Sequence, residues 1–117
     1  MKKEYRIKKS SEIDAIFKKR QSKGDRFFAI YTDKNEDENH FRFALSIGKK
    51  YGNAVERNLI KRRVRHIIQM LKDQLACTRF IIVIKPAAKE LTYDDMNNAL
   101  QNLLKKLNLL ETKHEKS

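Results

Sequence analysis

An α+β domain is what the hydrophobic periods of this chain predict. Two segments, FFAIYT and FRFALSI, carry the period of two that belongs to β-strands, and a third, RFIIVIK, is apolar at five consecutive positions. Three other segments repeat apolar residues at helical spacing. The chain has 117 residues, the size of one domain of roughly 100 to 150 residues. The order is helix, hairpin, helix, strand, helix over a single domain 1–117, with about 1–6 and 111–117 expected as flexible ends.

Ser10 or Ser11 offers a cap for a short first helix whose Ile13, Ile16 and Phe17 share a face. In FFAIYT, Phe28, Ile30 and Thr32 point to one side of a sheet and Phe27, Ala29 and Tyr31 to the other. The polar run DKNEDENH turns the chain. Its acidic part, Asp33 to Glu38, matches no Ca²⁺ loop spacing and reads as a solvated turn. In FRFALSI, Phe41, Phe43, Leu45 and Ile47 oppose Arg42, Ala44 and Ser46, and the two strands form a hairpin across the turn.

Asn53 with Glu56 three residues on is a capping box, and neither Gly nor Pro interrupts Ala54 to Leu75. Those residues predict a helix of roughly 33 Å at 1.5 Å per residue. Ile60, Val64, Ile67, Ile68, Leu71 and Leu75 fall within an arc of about 100°, which faces the sheet. Asn58, Lys61, Arg62 and Arg65 form the adjacent stripe, with Arg57 at its edge. RFIIVIK is a central strand ended by Pro86. Thr92 and Asp95 signal the start of a last helix, with Met96, Leu100, Leu103, Leu107 and Leu110 as its core stripe.

The formal net charge is +12, from 27 Lys and Arg against 15 Asp and Glu, and it is unevenly placed. Residues 1–23 carry +6, 24–41 carry −3, 42–66 carry +7 and 67–117 carry +2. Two basic blocks on so small a chain point to a polyanion. Arg57, Lys61, Arg62, Arg63 and Arg65 crowd the start of a helix whose N-terminus is already partly positive, with only Glu56 nearby. A solvated face is the bland explanation. Density, position and the second block favour phosphate contacts, for which the arginine fork is suited. Phe17, Phe27 and Tyr31, with Ala29, Ala44 and Ser46 leaving space, offer a floor on which single-stranded bases stack, or else they pack under the first helix.

Other chemistry is poorly represented. His40, His66 and His114 have no zinc spacing, and no nucleophile elbow or nucleotide loop occurs. No catalytic and no metal-ligating residue is therefore assigned. The single Cys77 has no disulfide partner and fits a reducing compartment. No apolar run is long enough to cross a membrane, and no signal sequence follows MKKEYRIKK, so a cytoplasmic protein is expected.

The stretch SIGKKYGNAVERNLIKRRVRHI resembles the signature of the bacterial ribonuclease P protein component. Gly52, Asn53, Ala54, Val55, Arg57, Asn58, Lys61, Arg62 and Arg65 stand in register with it, and IFKKRQS, RFFAIYT, FRFALSIGKK and FIIVIKPAAKELTYDD extend the resemblance over nearly the whole chain. Departures are Arg20 near a common Gly, Gly48 where Ser is usual, and Ile13 where an aromatic often stands. The resemblance implies a two-layer α-β sandwich with a mixed sheet of about four strands and three helices, in the order α-β-β(-β)-α-β-α, with a left-handed βαβ crossover. It implies a subunit that assists a catalytic RNA in Mg²⁺-dependent removal of the 5′ leader from precursor tRNA, the Mg²⁺ lying at the RNA active site. Carried over, Asn53, Arg57, Asn58, Lys61, Arg62 and Arg65 would meet the catalytic RNA. Phe17, Tyr31, Arg42, Lys49 and Lys50 would lie along the leader. The alternatives that composition allows are a ribosomal or RNA-chaperone-like protein and a protein-only nuclease.

Overall fold

The most apolar strand takes the centre of the sheet, because it has two faces to bury and both must be covered. The computed structural model describes residues 3–33 and 38–110. Its elements are α1 (Ser10–Lys19), β1 (Gln21–Gly24), β2 (Phe28–Thr32), β3 (Arg42–Ile47), α2 (Ala54–Met70), β4 (Arg79–Ile84) and α3 (Tyr93–Lys106). The strand order is β1-β2-β4-β3. β4 lies antiparallel to β2 and parallel to β3, so three helices accompany a four-stranded mixed sheet. The tail 111–117, His114 and residues 34–37 of the acidic turn lie outside the described residues.

β4 alternates between two cores. Phe80, Ile82 and Ile84 join Phe28, Ile30 and Phe43 under α2 and α3, where Ile60, Val64, Ile67, Ile68, Met96, Leu100 and Leu103 are buried. Ile81 and Val83 point the other way, to Ile16 of α1, Ile7, Tyr31 and Ala44. The sheet and the α2–α3 pair form the sandwich, and α1 lies across part of the opposite face.

Several local expectations are corrected. β2 and β3 do not pair as a hairpin, because β4 stands between them. The partner of β2 is β1, whose exposed QSKG shows no alternation from which a strand would be read. Its turn is closed by Asp25, whose Oδ1 accepts the N–H groups of Phe27 and Phe28, each at 2.8 Å. Phe27 precedes β2 and packs on the larger core, away from Phe17 and Tyr31. α1 starts after Lys9 without a side-chain cap from either serine.

α2 spans 17 residues and stops at Met70 instead of continuing to Leu75. Beyond it a 3-10 turn over Lys72–Gln74 carries Leu75 into a bridge with Leu110, and Ala76 N–H donates to Leu109 O at 2.9 Å. That tertiary pairing outweighs a helix propensity that is weak per residue. The end expected to be loose is placed at residues 3–6, where a 3-10 turn over Lys3–Tyr5 leads to a bridge between Arg6 and Phe43.

Arg20 closes α1 in the left-handed conformation, φ 56° and ψ 21°, donating its N–H to Phe17 O. A side chain there meets its own backbone, and glycine does not. Arg20→Gly is expected to raise stability by about 0.5–1 kcal/mol, since glycine's greater freedom in the unfolded chain offsets part of the gain. Thermal unfolding should show a higher Tm. A lowered Tm would contradict this account of the cap.

Candidate nucleic-acid interface

The capping box fixes where α2 begins and so where its cations project. Asn53 Oδ1 accepts the Glu56 N–H at 2.9 Å, and Glu56 Oε1 accepts the Asn53 N–H at 3.0 Å. With Ile60, Val64, Ile67 and Ile68 pressed on the sheet, the neighbouring stripe faces out. Asn58, Lys61, Arg62 and Arg65 line one open cleft of about 530 Å³, together with Arg6, His66 and Gln69.

The cations in and beside the cleft lack carboxylate partners among the described residues. Among the described residues none of Arg6, Arg57, Lys61, Arg62, Arg63 and Arg65 has a carboxylate oxygen within 4.0 Å. Glu56, the one acid on the basic stretch, is held by Lys89 at 2.8 Å and by the cap. Those two bonds draw its carboxyl below the usual glutamate range, that of Lys89 foremost. Arg65 has its guanidinium pKa lowered, chiefly by burial and then by the charge of Arg6. A group that is desolvated and faces a like charge gains most from an anion.

Three cations elsewhere, Arg42, Arg79 and Lys89, are matched by carboxylates. Arg42 places Nη1 and Nη2 on Glu12 at 2.8 and 3.0 Å and lies 3.5 Å from Glu38. Arg79 bonds Glu12 at 2.9 Å and Asp33 at 2.6 Å. The flanks of the acidic turn are thus counterions for the sheet's arginines.

This sorts the residues expected from the sequence. Asn58, Lys61, Arg62 and Arg65 come together as expected. Arg57 is half-buried and not among the cleft's lining residues, and its Nε is buried with no hydrogen-bond partner among the described residues. Asn53 has its side-chain oxygen committed to the cap. Phe17 and Tyr31 do meet, edge to face at 4.9 Å between ring centres, both half-buried beside Ala44 and Val83. Ser22 is the cross-strand neighbour of Tyr31. Arg42, expected along the leader, is engaged by Glu12 and Glu38. Lys49 and Lys50 stand exposed on a 3-10 turn between β3 and α2, outside the cleft lining.

Sequence reasoning missed His66, Gln69 and Arg6. His66 and Gln69 follow Arg62 and Arg65 at i+4, so extending the stripe by one turn finds them. His66 Nδ1 lies 2.6 Å from Tyr93 Oη, tying the cleft wall to the start of α3. No group of three His, Cys, Asp or Glu able to hold a metal stands together among the described residues, and none of their helices is long and apolar enough to cross a membrane.

Fold and cleft define a class: a small basic α+β protein presenting unmatched guanidinium and ammonium groups, suited to gripping a polyanion. Within that class the comparisons are specific. A model of the family Ribonuclease P matches residues 1–108. The Ribonuclease P protein component of Phytoplasma australiense is 47% identical over 111 residues, covering 94% of this chain and 96% of that protein. The corresponding protein of Streptococcus equi subsp. zooepidemicus is 44% identical over 111 residues, covering 95% and 92%. The solved structure of the Staphylococcus aureus RNase P protein superposes with a TM-score of 0.85 at 36% identity, over 92% of this chain and 98% of that one. The chain belongs to the ribonuclease P protein component family, subunits of an endoribonuclease of tRNA processing.

Proposed function

We propose that this chain binds the catalytic RNA of ribonuclease P through the α2 cleft and the single-stranded 5′ leader of precursor tRNA along the Phe17–Tyr31 surface. So placed, it assists RNA-catalysed removal of the leader, which leaves the mature 5′ end. The observation that carries this is convergence: Arg6, Lys61, Arg62 and Arg65 line one cleft, with no carboxylate within 4.0 Å of them among the described residues. The work of the chain is electrostatic and positional. Two RNAs repel, and a cationic wedge between them lowers that repulsion while fixing the leader's register. The Mg²⁺ of the cleavage is placed at the RNA active site, as the family resemblance implies, and no step is routed through it. The setting is the cytoplasm, in keeping with a free Cys77 thiol.

Precursor tRNA incubated with Mg²⁺ and the purified chain should stay intact and be cleaved faster when the cognate catalytic RNA is added with the chain than with that RNA alone. Cleavage by the chain alone would instead favour a protein-only nuclease, and no stimulation a ribosomal or chaperone-like role.

A stacked base contributes about 1–3 kcal/mol on an aromatic ring. Tyr31→Ala is therefore expected to raise KM for leader-bearing precursor about tenfold and leave mature tRNA binding nearly unchanged. Equal loss on both RNAs would remove the leader from this surface.

A further inference from the structure

The N-terminal segment is docked by two anchors, and the residue between them is an arginine. On one side the Tyr5 ring lies 4.4 Å from His40 and 4.9 Å from Phe41, with Lys72 Nζ 5.0 Å over its face. On the other, Ile7 is buried with Ile16 and Ile81 and donates its N–H to Phe43 O at 3.0 Å. Arg6, bridged to Phe43, lines the α2 cleft and also an adjoining groove of about 210 Å³, in both with Lys61 and Arg65. Apolar and backbone contacts thus carry a guanidinium up to two other cations, with no carboxylate within 4.0 Å among the described residues. For the chain alone this placement is unfavourable. An anion seated between the two elements turns repulsion into attraction.

We propose that Arg6 and the pair Lys61 and Arg65 grip one backbone phosphate of RNA from opposite sides, the N-terminal segment acting as one jaw and α2 as the other. This rests on the RNA-binding reading above and adds a jaw that does not belong to the motif helix. Planar arginine forks bind phosphate oxygens in pairs, which fixes direction as well as charge. Tyr5 is a positioning residue, holding Arg6 over the cleft without meeting the ligand.

The test measures affinity of the full chain for the catalytic RNA and, separately, for leader-bearing precursor tRNA. Arg6→Gln should weaken binding about tenfold and flatten the dependence of log K on log salt by roughly 0.7 to 0.9, the value of one phosphate contact. The RNA that shows the loss is the one supplying the phosphate. Tyr5→Ala, which releases the jaw, should show a comparable loss, and the double variant should be no weaker than the worse single one. Circular dichroism should be unchanged for Arg6→Gln. Wild-type affinity of Arg6→Gln for both RNAs, with Arg65→Ala still impaired, would overturn the jaw and leave the RNA-binding reading standing. Loss of neither would overturn both, and additive losses for Tyr5 and Arg6 would overturn the positioning role.

Discussion

Replacing Arg62 and Arg65 together by alanine is expected to weaken association with the catalytic RNA about 100-fold without loss of fold. Each guanidinium lines the cleft, and neither has a carboxylate partner among the described residues. Removing them breaks no ion pair among the described residues, whereas on the proposed reading it removes two charge-assisted contacts to RNA. A hydrogen bond to a charged group is worth about 1.5–3 kcal/mol and tenfold in affinity is 1.4 kcal/mol, so two contacts reach about two orders of magnitude. Removing like charges from beside Arg6 and Lys61 should if anything raise the melting temperature. Filter binding or fluorescence anisotropy with a thermal melt checks both halves; wild-type affinity in the double variant would count against the cleft as an RNA surface.

Glu12→Gln has the largest expected effect on stability, about 2 kcal/mol. Its carboxylate joins α1 to β3 and β4 by holding Arg42 with two bonds and Arg79 with a third. Side-chain exposures are 19% for Glu12, 24% for Arg42 and 15% for Arg79. The cost therefore falls between the small value of an exposed pair and the several kcal/mol of breaking a buried one. The bond from Arg42 leads in holding the Glu12 carboxyl below the ordinary glutamate value of 4.5. A folded-state pKa lowered in this way stabilises the protein above the unfolded value, and the contribution fades as pH falls through the folded one. Wild type and Glu12→Gln should therefore differ fully at neutral pH and converge in acid. Denaturant unfolding at several pH values would show this, and a pH-independent gap would refute it.

Helices and the central strand were legible in the sequence because local chemistry marks them. Asn53 and Glu56 announce α2, Thr92 announces α3 through a bond from Asp95 N–H at 3.1 Å, and five apolar residues mark β4. Strand partners were not legible, since a period of two says that a strand exists and nothing of its neighbours. The nearest-neighbour rule paired β2 with β3, while burial of both faces of β4 put that strand between them. β1 was invisible because an exposed edge strand needs no apolar pattern. The helical stripe put Asn58, Lys61, Arg62 and Arg65 side by side because one helix carries them all, and all four line one cleft. Arg42 and Arg6 depended on residues distant in sequence: Glu12 lies 30 positions from Arg42, and Arg6 reaches the cleft by pairing with Phe43. A basic N-terminus reads as a solvated end until Ile7 finds its place in the core.

The most direct test of phosphate contact at the α2 cleft is affinity for the catalytic RNA across a range of monovalent salt, in wild type and in the Arg62→Ala, Arg65→Ala double variant. A plot of log K against log salt should be linear and steep for wild type, and shallower by roughly 1.4 to 1.8 for the variant, as two lost phosphate contacts require. Equal slopes in the two proteins would contradict it and return these cations to a solvated face.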